Sequence, residues 1–147
     1  MKHLLKVIAL LSFFVLLAYA TNYEPFLDTA VDVAATVTKV NGTDFNSKTP
    51  SCKSRDALAI TCTFTRVTGS ASTLDFEFQA SYNNGVTWTT AYLFRIQVPT
   101  NTTAVSNVVR YMTLINSSGI TNLRLYRIVN NDASVNTTAC NVYLSIT

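Results

Sequence analysis

From Leu74 to Tyr82 apolar and polar residues alternate without a break. Leu74, Phe76, Phe78, Ala80 and Tyr82 fall on one side, and Asp75, Glu77, Gln79 and Ser81 on the other. Successive side chains of an extended chain point to opposite faces, so this period specifies a strand with one dry and one wet face. The same alternation recurs in Val31, Val33, Ala35 and Val37, in Leu58, Ile60, Cys62 and Phe64, and in Tyr92, Phe94, Ile96 and Val98. It returns over residues 105–115 and 123–129 and in Cys140, Val142, Leu144 and Ile146, and no segment after residue 20 sustains a helical period. Asn83-Asn84-Gly85, between two alternating runs, predicts a tight hairpin, because Asn and Gly tolerate the positive φ such turns need. Gly69-Ser70, Pro99 to Asn101, Ser117 to Gly119 and Asn130 to Asp132 mark the other turns. The expected fold is all-β: a single antiparallel β-sandwich, immunoglobulin-like or jelly-roll-like. It has about seven strands plus an N-terminal strand available for donation to a neighbour.

Residues 1–20 read as a signal peptide. Lys2 and Lys6 precede or open an apolar run from Leu4 to Leu17, which ends in the small-residue site Ala18-Tyr19-Ala20. About fourteen apolar residues are too few for the roughly twenty of a spanning helix. Cleavage takes twenty residues from 147 and leaves 127, enough for one domain. The expected organisation is a signal peptide over 1–20, an N-terminal arm over 21–40 and a sandwich over 41–147. The expected location is secreted and extracellular, at the cell surface or beyond it.

Cleavage also removes His3, the sole histidine. Without imidazole, Ser-His-Asp and Cys-His nucleophile systems and nearly all catalytic zinc sites are excluded. Four glycines in the whole chain leave no phosphate cradle. Asp75 and Glu77 are the one close carboxylate pair, but as neighbours on one strand face they do not flank a scissile bond. Asp44, Asp56 and Asp132 offer oxygen to calcium without the spacing of a calcium loop, so no metal or other cofactor is expected. Nine basic against eight acidic side chains leave a net charge of +1 after cleavage, with no footprint for nucleic acid and none for a membrane surface. The charge is uneven: residues 21–38 carry Glu24, Asp28 and Asp32 and no cation, while residues 39–147 carry nine cations and five acids. An acidic arm that seeks a basic body is one reading of that split, and chance is the other.

Three cysteines remain after cleavage: Cys52, Cys62 and Cys140. An exported domain is expected to oxidise them. Cys140 paired with either partner closes the longest loop. A buried thiol at Cys62 with Cys52–Cys140 joined is an alternative, and an intermolecular bond from the odd cysteine is a third. Four sequons, at Asn41, Asn101, Asn116 and Asn136, all fall in predicted loops, where N-linked glycan is accepted without opening a ladder. Trp88, Tyr92, Tyr111 and Tyr126 are candidates for stacking on a sugar ring.

Ser81-Tyr82-Asn83-Asn84-Gly85-Val86-Thr87-Trp88 resembles the Asp-box hairpin of sialidases and other secreted β-proteins, with Asn83 where the namesake Asp stands. The resemblance implies a structural turn with Trp88 packed beside it, and no sialidase activity. The layout as a whole resembles donor-strand filament subunits: a signal peptide, an N-terminal strand and an incomplete sandwich. That resemblance implies that Val31, Val33, Ala35 and Val37 insert into the next subunit, giving a head-to-tail homopolymer. The sequence therefore favours a secreted, glycosylated, non-enzymatic subunit of an extracellular fibre or surface assembly, whose partners are copies of itself and covalent glycans. A carbohydrate-binding or adhesive module is the alternative.

Overall fold

The computed structural model describes residues 22–52, 57–66, 72–99, 107–116 and 119–146. The signal peptide, Asp56, the sequon Asn101 and the Gly69-Ser70 and Ser117-Ser118 turns lie outside them. Among the described residues nine strands form: β1 (Asn22–Pro25), β2 (Val31–Val33), β3 (Thr38–Val40), β4 (Ala57–Arg66), β5 (Thr73–Ser81), β6 (Phe94–Pro99), β7 (Asn107–Asn116), β8 (Asn122–Asn130) and β9 (Thr137–Ile146). One sheet runs β1-β9-β4-β7, with β2 also on the β9 edge; the other runs β3-β8-β5-β6. Every pairing between these strands among the described residues is antiparallel.

The pairs nest: β2 with β9, β3 with β8, β4 with β7 and β5 with β6. With β1 and β2 taken as two halves of one edge strand, this is the eight-stranded jelly roll, so that form of sandwich is realised rather than the immunoglobulin one. The inward faces read from alternation form the core. Leu58, Ile60, Cys62, Phe64, Leu74, Phe76, Phe78, Ala80, Ile96, Val98, Val142 and Leu144 are all buried. Phe78 is a centre of it, meeting Phe26 edge-on at 5.4 Å and stacking on Phe94 at 4.9 Å.

The N-terminal segment departs from expectation. Val31 to Val37 is not one strand: β2 stops at Val33, Thr36 takes φ 61°, and the Val37 N–H bonds the Ala34 carbonyl at 3.2 Å. The chain then crosses to the other sheet as β3. Of the four proposed anchors Val33 is fully buried in its own domain, Val31 and Val37 pack against its core, and Ala35 is half-buried. In this chain the segment is therefore paired at home. Pro25 ends β1 opposite Tyr143, on a sheet edge where a missing N–H costs no ladder bond.

The loop after β3 is stitched to this segment. Leu27 bridges Ser47, the Lys48 N–H bonds the Phe26 carbonyl at 2.7 Å, and the Lys48 ammonium meets Asp28 at 2.5 Å. At the other end of the corner, Asn130 Nδ2 donates to the Val33 and Val135 carbonyls, and the Thr36 N–H to the Asp132 carbonyl. Among the described residues no helix is long and apolar enough to cross a membrane.

Candidate recognition face

The wet face expected on β5 is not wet. Asp75, Glu77 and Gln79 point out of the sandwich, yet each is only 4% exposed. Arginines on the flanking strands cover them. Arg127 of β8 meets Glu77 at 2.6 Å, Arg95 of β6 meets Asp75 at 3.3 Å, and Arg124 of β8 donates its Nε to Gln79 Oε1 at 2.8 Å. Asn131 adds a bond to Asp75 Oδ2 at 3.0 Å. The carboxylate pair considered for hydrolysis is thus clamped by two guanidiniums. The Glu77 bond and charge raise the Arg127 pKa.

A β-bulge makes this packing possible. Glu77 faces Arg127 and Phe78 faces Leu125, so Tyr126 is an extra residue in β8. Strict alternation would place residues three apart on opposite faces. The bulge rephases the strand, so that Arg124 and Arg127 both point outward while Leu125 and Ile128 point in. The Tyr126 carbonyl accepts the Asn41 N–H at 2.9 Å.

The 82–93 loop lies beside this face. Asn84 (φ 61°) and Gly85 (φ 82°) form a type I′ turn, with the Val86 N–H on the Asn83 carbonyl at 3.3 Å. Ser81 Oγ accepts the Asn83 and Gly85 N–H groups, and Asn83 Oδ1 accepts the Thr87 N–H at 2.9 Å. Asn83 thus fills the acceptor role with an amide in place of a carboxylate. The expected hairpin is formed, since β5 and β6 pair antiparallel, but it is not a tight one. The Thr89 N–H bonds the Ala80 carbonyl and the Leu93 N–H the Phe78 carbonyl, so Thr90, Ala91 and Tyr92 loop out and β6 starts only at Phe94.

Tyr82, expected on the inner face of β5, turns outward because the strand ends at Ser81. It is 56% exposed, with Val86 at 78%, Tyr92 at 39% and Leu93 at 43%. Among the described residues these are the exposed large hydrophobics, and all four sit on this one loop.

The aromatic candidates separate accordingly. Trp88 is half-buried under Arg124, whose Cζ lies 4.5 Å from its ring centre, and Arg127 Cζ lies 5.0 Å from the ring centre of Tyr126. Tyr92 is exposed. Tyr111 is on β7, in the opposite sheet. Sequence reasoning passed over Tyr82, Arg95, Arg124 and Arg127. The signal was the three-residue spacing of the β8 arginines against the alternation of Leu123 and Leu125.

The other sites are dispersed. Asn136 is exposed before β9, its Oδ1 accepting the Ala35 N–H at 3.0 Å. Asn41 is half-buried, its Oδ1 accepting the Ser47 N–H at 2.8 Å. Asn116 ends β7 opposite Ala57, within the ladder rather than in a loop. No disulfide joins the three cysteines, all of which are buried. Cys62 faces Val142, one inward step along β9 from Cys140, so those two are diagonal neighbours. Cys52 sits beside the start of β8, at the end of the sandwich away from the start of β9, so a Cys52–Cys140 bond, one of the pairings considered, is not formed. Burial pushes both the Cys62 and Cys140 thiols up, Cys140 to about 12.

A cleft of about 440 Å³ between the Leu27–Asp32 stretch and the Lys39–Asn46 loop is lined by Asp28, Asp32 and Asp44. Each is engaged, by Lys48, by the Ala139 N–H and by the Val40 N–H respectively. The Val40 bond, with Lys39 beside it, lowers the Asp44 pKa. Asp132 Oδ1 accepts the Ser134 and Val135 N–H groups. Among the described residues no cluster of His, Cys, Asp and Glu is arranged for a metal ion. No family model matches the chain, and no curated protein or solved structure matches it either.

Proposed function

We propose that this chain is an exported, non-enzymatic β-sandwich that acts by binding, and that the outer face of β8-β5-β6 with the 82–93 loop binds carbohydrate. One observation carries the reading: the exposed large hydrophobics of the described residues all gather on one loop. That loop is held rigid by its own turn bonds and lies beside a floor of arginine and amide groups. Apolar side chains displayed together on a rigid loop mark an interaction site. Thr87, Thr89 and Thr90 supply hydroxyl partners of the kind sugar rings present. The buried, ion-paired state of Asp75 and Glu77 argues against hydrolysis. An exposed sequon at Asn136 accords with export. The test is a glycan array probed with the mature chain and with Tyr92→Ala. Retention by the mature chain that drops in the variant supports the reading, and retention of neither overturns it.

A second reading is homopolymer assembly by strand exchange. It is favoured by the placement of the N-terminal segment along sheet edges only, β1 and β2 on β9 and β3 on β8. A neighbour's segment can make those same pairings. The buried anchors on it would then be Phe26, Leu27 and Val33. Size-exclusion and negative-stain imaging of the mature chain test it: polymers that disappear on deletion of residues 21–40 support exchange, and a stable monomer counts against it.

A further inference from the structure

The three arginines of the recognition face differ in one respect. Arg95 is matched by Asp75 and Arg127 by Glu77. Arg124 faces the neutral Gln79, and among the described residues no carboxylate pairs with it. Its guanidinium is nonetheless held on two sides. Nε donates to Gln79 Oε1 at 2.8 Å, and the plane lies 4.5 Å above the Trp88 ring. Gln79 is itself fixed, because its Nε2 donates to the Thr89 carbonyl at 2.8 Å, which leaves its oxygen for Arg124. The chain Thr89–Gln79–Arg124–Trp88 orients a cation and spends only its Nε. The 82–93 loop beside it contains no charged residue, so it holds nothing that repels an anion. Partial burial lowers the Arg124 pKa.

We propose that Arg124 anchors the carboxylate of an acidic glycan, a uronate-bearing oligosaccharide, with Trp88 as its platform and Tyr92 as an adjoining stacking surface. The proposal rests on the carbohydrate reading above and adds the ligand class. With Nε occupied, the two Nη groups remain. They present the forked donor pair that a planar carboxylate accepts in bidentate fashion.

Trp88 is the sole tryptophan of the chain, so its fluorescence reports this spot directly. The experiment titrates the mature protein with trigalacturonate, with its methyl ester and with a sulfated galactan oligosaccharide that contains no uronate. It repeats the acid titration on Arg124→Gln and, as a distant-cation control, on Lys48→Ala. The expected result is a saturable change with the acid, weakened about tenfold or more by esterification and by Arg124→Gln, and unmoved by Lys48→Ala. Should Arg124→Gln fail to fold, the ester on the unaltered chain still decides. Equal binding of acid and ester overturns the anion anchor while leaving carbohydrate binding in place. Equal binding of the sulfated oligosaccharide overturns the carboxylate assignment. No response to any glycan overturns both.

Discussion

Asp32 accepts the backbone N–H of Ala139 on its Oδ1 at 2.9 Å. Ala139 is the extra residue of a bulge in β9: Thr63 faces Asn141 while Thr65 faces Thr138, and Val31 faces Cys140 while Val33 faces Thr137. Its φ of 51° is costly for a residue with a Cβ, by about 1–2 kcal/mol. A bulge leaves its N–H outside the ladder, and Asp32 supplies the missing acceptor. The acid that looked like part of a free arm is a cap specific to the slot its strand occupies. Asp32→Ala is expected to destabilise by about 1 kcal/mol, at the modest end because the contact is exposed. Asp32→Asn, which keeps an oxygen acceptor, is expected to restore part of the loss. Urea midpoints of the three proteins check it.

Phe26 tests how firmly the N-terminal segment belongs to the core. It is fully buried, edge-on to Phe78, with its N–H on the Val142 carbonyl at 2.8 Å. Phe26→Ala is expected to cost about 3–5 kcal/mol. If the segment stays in its own domain, the thermal midpoints of the parent and variant are independent of protein concentration. If it is donated, both rise with concentration, because assembly then contributes to stability.

The turn at residues 81–87 gives a sharper substitution. Asn83→Asp keeps an oxygen for the Thr87 N–H and loses the Nδ2 donor to Thr87 Oγ1, whose hydroxyl can reverse and donate instead. The expected change in stability lies within about 0.5 kcal/mol. Asn83→Ala removes the acceptor and is expected to cost about 1 kcal/mol. Gly85→Ala meets Trp88 only at an ordinary 3.7 Å, so its expected cost of about 1 kcal/mol arises from the backbone at φ 82°. Thermal unfolding of the three variants measures all of this.

The sandwich was legible because period two survives burial. Leu58 to Phe64, Leu74 to Ala80 and Val142 to Leu144 sit on the faces their alternation assigns. What stayed hidden is what alternation does not encode. A bulge at Tyr126 brings Arg124 and Arg127 to one face, and only knowledge of which strand opposes them reveals that Glu77 and Gln79 lie beneath. The polar side of β5 was misread for the same reason, since residues spaced as a wet face become a buried ionic layer when long guanidinium stems cover them. Val31 to Val37 was misread because a run of small and β-branched residues does not announce a corner. Thr36 makes the turn at positive φ without glycine, held by the Asp132 carbonyl.

The buried thiols predict an alkaline weakness. Burial, with Asp32 as the second cause, pushes the Cys140 thiol up to about 12 from an ordinary 9.0, and burial pushes Cys62 up as well. The core accepts the neutral thiol and resists the thiolate, so the folded state holds these protons at pH values where the unfolded chain releases them. Their contribution is complete below about pH 9 and is lost as the pH rises toward 12. Each thiol can add at most about 1.4 kcal/mol per pH unit to the slope. Urea midpoints at successive pH values above 9 are expected to fall more steeply for the parent than for Cys140→Ala, and the tyrosines, common to both, cancel in the comparison. At pH 8 the folded protein is expected to resist a thiol reagent such as iodoacetamide at Cys62 and Cys140 and to react there once unfolded. Parallel pH profiles for parent and variant, or rapid labelling of the folded chain at either position, would show that the two thiols are not shielded by the β4–β9 packing.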